Sequence, residues 1–531
     1  MELEAIALNM LGLMTPLLAI TAFLIPLLPR LVKNRESTPF MLTLIAGAYA
    51  VLATTTVLVS VTSSEKPMVY MYGGWPPHFG IVYEVDQFNG LIGALTAWIM
   101  LTIILYSKWY SAHLDDASWY YTMLVGLETG ILGCLYTGDA FNLFVMIEVL
   151  SISAYGLVAY HRDRAEAVEA AAKYALIGAV ATTIYFLAVV LLYAGYGTVN
   201  MALLSSLARH RAVSSGLKYV GLMSVALALW VFTYKSAIFP NHFWLPDAHP
   251  EAPTPVSAAL SGLVVNVGAY AVARFLYTMF PHGSAVSEYR ELILLALFIL
   301  GAVSGIVGAL MMMMQRDIKR LLAYSTISHM GIVYMALAAG FMSNNYEAVR
   351  LAVMGGLIHI VSHGVAKAML FMTSGIFIDA AGTRDLDSMK GVGRLYPLAS
   401  ASMVIGFFSL AGLLPLLGFY SKLLIALGYF SGGFSIAPIL IIVISALSLP
   451  GYLKAISSIV FGTGSGYKKL RTTWVEVMLF AMALFLVVAG VIFWLASPVF
   501  ESATLDLVLN FDNYVKAALS KIPGELEGWL P

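Results

Sequence analysis

Three isolated charges carry the chemistry this sequence could perform. Glu148 is the only charged residue between Phe141 and Tyr160, Lys235 the only one between Gly221 and Ile238, and Lys422 the only one between Leu398 and Pro438. Each stands in a run apolar enough for a bilayer interior, where an ionisable group costs ~2.5–3.5 kcal/mol on insertion scales and is kept for function. His359, His363 and Lys367 follow one another at four-residue spacing, which stacks them on one helix face over ~12 Å. His329 and Glu128 lie in further apolar runs, and Asp139 sits at the junction of two of them. These are the parts of a proton relay. Glu148 close to Lys235 holds the ammonium by Coulomb attraction, and once the two separate, the buried lysine hands its proton to a neighbour. Histidines titrate near neutrality and pass protons either way through bridging water. Mutual repulsion keeps the His359–His363–Lys367 stack from charging all at once, and Lys422 is the terminal station.

Structural roles compete for some of these positions. Glu128 can pair with a lysine, Asp139 beside Gly138 can cap the helix that follows it, and His329 can be a satisfied core histidine. Lys173 and Lys454 stand near enough to helix ends to reach the headgroups. Glu148, Lys235 and Lys422 have no interface within reach.

The elements that must position these groups are membrane helices. Hydrophobic residues make up 60% of the 531 residues and charged ones 11%, against about 25% charged in soluble chains. The net charge is zero, so nucleic acid is not an expected partner. The single cysteine, Cys134, excludes a disulfide framework, Cys-rich zinc sites and Cys-ligated iron–sulfur clusters. No cofactor or metal is expected on this chain, and any coupled electron transfer falls to others. The opening Met1-Glu2-Leu3-Glu4 is acidic where a cleavable signal would be basic.

A bilayer core takes roughly 20 apolar residues per helix. That predicts an all-α polytopic protein of the cell membrane with fourteen spans, at 5–29, 38–62, 88–107, 118–137, 139–160, 168–195, 216–239, 254–280, 289–314, 321–342, 347–378, 398–430, 434–462 and 473–497. Residues 63–87, with Gly73-Gly74 and Pro76-Pro77 between two β-prone runs, read as a hairpin outside the membrane. Residues 498–531 read as an amphipathic interfacial tail. Loops on one side carry 15 Lys and Arg against 8 on the other, which places both termini outside the cytoplasm. Arg209, Arg211 and Lys218 run against that bias.

Two spans are broken. Phe239-Pro240 and a cluster of prolines follow Lys235, and Gly412, Pro415 and Gly418 precede Lys422. Freed carbonyls at membrane depth need protein or water around them, and paired broken helices point to an ion path between inverted repeats. The expected organisation is residues 1–117 with the hairpin, a five-helix repeat at 118–280, a second at 289–462, and a last span with the tail at 473–531. Spans 7 and 12 are the broken ones, each fourth in its repeat.

Several runs are diagnostic together: Gly138-Asp139-Ala140-Phe141-Asn142 through Glu148; Lys235-Ser236-Ala237 leading to His242-Phe243-Trp244-Leu245-Pro246-Asp247-Ala248-His249; Asp317-Ile318-Lys319-Arg320 through His329-Met330-Gly331; His363-Gly364-Val365-Ala366-Lys367-Ala368; and Gly418-Phe419-Tyr420-Ser421-Lys422. On these the chain resembles the antiporter-like subunits shared by respiratory complex I, Mrp-type cation/proton antiporters and energy-converting membrane-bound hydrogenases. The resemblance is strong over residues 85–430. It implies fourteen helices in two inverted five-helix repeats, Glu148 and Lys235 as a coupled pair, His329, His363 and Lys367 as a central hydrophilic axis, and Lys422 as the exit. His249-Pro250-Glu251-Ala252-Pro253-Thr254-Pro255 looks most like the D-type Mrp and H-type hydrogenase branch.

Two features bear on that pattern. Asn266 stands where the family often has a lysine, and asparagine cannot titrate. Lys422 stands where some members have glutamate. The sequence ends soon after the fourteenth span, without the long lateral helix of the largest complex I member.

The function this implies is translocation of H⁺, or exchange of H⁺ for Na⁺, by a subunit of a multisubunit energy-converting complex, a hydrogenase or related oxidoreductase first. An Mrp D-type or complex I subunit is the alternative, with other membrane subunits as partners in each case. A self-sufficient secondary transporter and an enzyme in its own right are weaker readings. Gly462-Thr463-Gly464-Ser465-Gly466 is followed by Tyr467, not the Lys-Ser/Thr of a phosphate-binding loop.

Overall fold

The computed structural model describes residues 2–28, 37–209 and 215–522. Arg30, Lys33, Arg35, Arg211, Glu525 and Glu527, which entered the charge count or the tail reading, lie outside the described residues. The chain begins with α1 (Glu2–Leu24) and α2 (Thr38–Ser64). An antiparallel hairpin follows, β1 (Met68–Met71) against β2 (Val82–Val85), with Met68 opposite Val85. Helices α3 (Gln87–Tyr110), α4 (Ala117–Tyr136), α5 (Ala140–Val158), α6 (Ala165–Tyr196), the short α7 (Met201–Ala208) and α8 (Ser215–Lys235) come next. After α9 (Leu245–Glu251), the helix Thr254–Met279 joins α10 (Thr254–Ala259) and α11 (Val265–Ala273) through a π-helical turn and ends in another. Then come α12 (Ser287–Met314), α13 (Ile318–Ala338), α14 (Tyr346–Ala381), α15 (Pro397–Ala411), α16 (Leu417–Ser431), α17 (Ile436–Ile456), α18 (Thr473–Val491), α19 (Phe493–Val508) and α20 (Phe511–Leu519).

Among the described residues, twelve helices are long and apolar enough to cross a membrane. The other two expected spans are α4, which carries Glu128, and the pair α15–α16, one span cut in two. In each run of five, α4 to α11 and α12 to α17, the fourth span is interrupted: α8 stops at Lys235, and α15 stops at Ala411. Ala237 takes a left-handed φ of +53° just past the first stop, and Gly412 one of +85° at the second. A Cβ at Gly412 would lie 3.0 Å from Cδ of Lys422, so the glycine serves both the backbone turn and the passage of the lysine stem.

Glycines also let α12 approach closely the helix that carries His329. A Cβ at Gly301 of α12 would meet the Gly331 carbonyl of α13 at 2.7 Å. Small residues at such crossings replace the missing hydrophobic drive between membrane helices with backbone-to-backbone packing. Helix α13, held this way, is buried along its length.

Of the charges that ran against the orientation bias, the two within the described residues find acids on their own side. Arg209 pairs with Asp512 of α20 at 2.5 Å, and Lys218 pairs with Glu288. On the opposite side, Asp247 receives Lys173 at 3.5 Å and Arg320 at 3.4 Å, and Arg384 bridges Glu251 and Asp317, each at 3.1 Å.

The tail departs from the expected interfacial helix. The last span ends at Val491, a new helix starts at Phe493, and α19 and α20 pack back on the protein, burying Tyr514, Val515 and Ala518. The segment 201–208, between two expected spans, is a helix with six buried residues. Both face the hairpin side, where Asp86 caps α3 and Asn89 donates to the carbonyls of Glu84 and Leu135, each at 2.9 Å. Arg274 reaches this corner fully buried and pairs with Asp86 at 2.7 Å. Removing one partner of such a pair strands the other charge at a cost of ~3–5 kcal/mol. Arg274→Ala is therefore expected to lower the thermal unfolding midpoint in detergent, read by loss of monodisperse protein on heating. Asp86→Asn is expected to do the same to a smaller extent.

Candidate functional site

The site is built from the two helix breaks and the buried face of α13 and α14. At the first break the Lys235 ammonium donates to Ser151 Oγ of α5. It is surrounded by the rings of Tyr155, Tyr174 and Tyr234, whose centroids lie 5.9, 5.8 and 6.0 Å away. Aromatic faces attract a desolvated cation, so this cage tolerates the charge without a counter-ion. Glu148 stands three residues before Ser151 on α5, half-buried, and the direct partner of Lys235 is the serine, not the glutamate. Tyr334 of α13 ties down the end of α8: its hydroxyl lies 3.0 Å from Phe232 O, which also accepts from the Ser236 amide, and 3.1 Å from Ser236 Oγ. Trp244 Nε1 donates to Tyr234 O at 3.0 Å.

Five residues before Tyr334 the central group begins. His329 Nδ1 lies 3.0 Å from His359 Nε2, and His359 Nδ1 lies 2.8 Å from Ser421 Oγ on α16. On its other side His329 Nε2 meets the Tyr452 hydroxyl at 2.7 Å, and that hydroxyl meets Ser325 Oγ at 2.8 Å. The result is an unbroken hydrogen-bonded run, Ser421–His359–His329–Tyr452–Ser325, through four helices in the buried interior. His363 is buried beside it, 5.7 Å from His329 by ring centroids, and neither of its nitrogens has a protein partner. Lys367 donates to the Leu322 carbonyl at 3.0 Å.

At the second break Lys422 donates to the carbonyls of Leu410 and Ala411 at 2.7 and 3.1 Å, and to Ser445 Oγ at 2.9 Å. Those carbonyls are the orphaned acceptors at the end of α15, where the helix dipole favours a cation. Ser421, its chain neighbour, is the end of the histidine run, so run and lysine share one turn of α16.

The remaining expected residues divide. Glu128 is fully buried with neither oxygen hydrogen-bonded, so the lysine partner weighed for it is absent among the described residues. Asp139 accepts from the Asn142 amide at 2.7 Å and caps α5. Asn266 donates to Gly262 O at 2.7 Å, while its Oδ1 is buried without a protein partner. Lys454 donates to Met313 O at 3.3 Å and Gln315 O at 2.6 Å, closing the end of α12.

Several polar members of the site carried no sequence signal. Tyr452, Ser151 and Ser445 are ordinary residues in apolar helices, marked only by what they touch, and Ser421 stood in the Gly418–Lys422 run without a role of its own. His249 stood in a recognised motif without a role. It is buried, stacks on Phe371 at 4.7 Å and has both nitrogens unpartnered. Tyr452→Phe removes the hydroxyl linking His329 to Ser325 and leaves groups unpaired at ~1–3 kcal/mol. The expected result is an assembled protein with reduced proton flux in vesicles.

A sequence profile for the transmembrane region of NADH:quinone oxidoreductases and Mrp antiporters matches residues 137–449, the stretch that holds all the buried lysines and histidines of the site. The chain belongs to this family of antiporter-like membrane subunits. It is 33% identical to the N subunit of the NADH-quinone oxidoreductase of Desulforudis audaxviator, over 84% of this chain and 87% of that one. It is 30% identical to the D-type subunit of the Na⁺/H⁺ antiporter of Bacillus subtilis, over 88% and 91%. A chain of the membrane-bound sulfane sulfur reductase, an archaeal respiratory membrane complex, superposes with a TM-score of 0.86 at 28% identity, over 96% of this chain and 99% of that one. The protein is a multi-pass antiporter-like subunit of the kind found in such multisubunit membrane complexes.

Proposed function

We propose that the chain moves protons across the membrane within a redox-driven complex, with Lys235, the group His329, His359, His363 and Lys367, and Lys422 as successive stations. The observation that carries this reading is the buried run from Ser325 to Ser421, which ends beside Lys422. Neutral imidazoles each offer one donor and one acceptor, so a proton entering one end can leave at the other by shifting tautomers. Glu148, one helical turn from Ser151, is the acid that takes over Lys235 when α5 shifts, and Glu128 and Asp139 lie on the approach to it. The likeness to the NADH-quinone oxidoreductase and sulfane sulfur reductase chains favours a redox parent. A Na⁺-exchanging assembly is the second reading, because the Na⁺/H⁺ antiporter chain is nearly as similar.

Gentle purification with identification of the accompanying chains tests the parent complex. Hydrogenase or quinone-reductase subunits are expected, and a lone chain that transports ions after reconstitution would overturn the proposal. The route is tested by Glu148→Ala, which should abolish pumping with assembly intact. Wild-type flux in that variant removes its role.

A further inference from the structure

On the hairpin side, apart from the lysine–histidine axis, three carboxyl groups converge on one guanidinium. Arg274, in the π-helical turn after α11, donates to Asp86 Oδ1 at 2.7 Å, and its other hydrogens turn to the Tyr270 hydroxyl at 3.2 Å and Thr278 Oγ1 at 3.4 Å. Its guanidinium lies 4.6 Å over the Tyr514 ring. Glu84 of β2 is fully buried beside them, with neither carboxylate oxygen bonded to the protein. Asp86 Oδ2 is equally unpartnered, and Asp506 Oδ2 of α19 accepts from the Gln87 amide at 3.1 Å.

The Tyr514 hydroxyl on α20 is buried beside Glu84 and has no other polar group within hydrogen-bond distance. The charged and titratable groups here are Glu84, Asp86, Asp506, Arg274, Tyr270 and Tyr514, with Asn510 and Gln87 completing the polar lining. Three ionised carboxylates against one cation would leave buried charge unpaired, and such a group takes up a proton instead. Among the described residues no three His, Cys, Asp or Glu side chains converge tightly enough to hold a metal ion.

We propose that Glu84 and Asp506, beside the Asp86 held by Arg274, form a proton-binding site, separate from the transport axis, that holds a proton and fastens the tail helices α19 and α20 to the hairpin. Burial pushes the Glu84 carboxyl well above the usual range. Asp506 is pushed up to about 7, by burial first and by Asp86 next. Both shifts are upward, so folding takes up protons. The hold is complete below the ordinary aspartate value of 3.8 and is lost as pH rises through about 7 for Asp506. One linked proton changes tail opening about tenfold per pH unit within that window.

The test uses the purified complex. An infrared titration should show protonated-carboxyl absorption that falls on raising the pH, present in wild type and Glu128→Gln and reduced in both Glu84→Gln and Asp506→Asn. Hydrogen exchange should show α19 and α20 opening more steeply with pH in wild type than in Asp506→Asn. Should Glu84→Gln fail to assemble, Asp506→Asn decides alone, because Asp506 is half-buried and at the periphery. A band unaffected by both substitutions, pH-independent tail opening in wild type, or loss of the band on adding Na⁺ at fixed pH would each overturn the proposal.

Discussion

Lys235→Ala should reduce proton flux by ~10²-fold or more, the usual cost of losing a positioned proton-transfer group, while leaving the protein as heat-stable as wild type or more so. The second half of that expectation comes from the contacts. The ammonium has one hydrogen-bond partner, Ser151, and three aromatic faces. Ser151 also donates to the Ile147 carbonyl, so truncating the lysine strands no donor. It also removes a buried charge that has no acid within bonding distance. Flux is read as acidification of inside-out vesicles under substrate, and stability as the unfolding midpoint in detergent. Unchanged flux in Lys235→Ala would remove this residue from the route. A large fall in stability would show that the tyrosine cage is a structural clamp.

Lys422 should behave in the opposite way on stability. Its three donors are all used, two of them on the end carbonyls of α15. Lys422→Ala orphans those carbonyls at ~1–3 kcal/mol each and takes a cation from a helix C-terminus. Both the unfolding midpoint and the flux should fall. Lys422→Arg separates the two roles, because a guanidinium supplies donors and charge but does not give up its proton. Stability should return in the arginine variant and transport should not. Recovery of transport with arginine would mean that the residue serves only to seal the break.

The two lysines therefore make a paired experiment: the same side chain at two helix breaks, with contacts that predict opposite signs for stability and one sign for transport. Tyr452→Phe and Arg274→Ala extend it in two directions, the first into the histidine run and the second into a corner with no part in that run.

Much of this was legible in one dimension. Apolar runs of bilayer length, interrupted by glycine and proline at two places and by a charge beside each, state the fold class and the two breaks, because a membrane span and a buried ion each have a cost that composition alone exposes. The hairpin was legible for a similar reason, since its turn residues stand between two short β-prone runs, and β1 and β2 form where those runs lie. Lys235, Lys422 and the His359–His363–Lys367 spacing could be picked out because each is an expensive residue in a cheap surrounding.

Other features had no such mark. Serine and tyrosine cost little inside a membrane helix, so nothing gave Ser421 or Tyr452 a role until folding brought them to His359 and His329, 62 and 123 positions away in sequence. Glu84 and Asp86 lie just outside a span, where charge is ordinary, and Arg274, the only charge of the span 254–280, stands toward its end. Folding buries them together, and Asp86 and the guanidinium that meet there belong to segments nearly 200 residues apart. The chain on its own determined which charges are out of place. Three-dimensional packing decided which neighbours answer them, because a hydrogen-bond partner is defined by distance in space and leaves no periodicity in sequence.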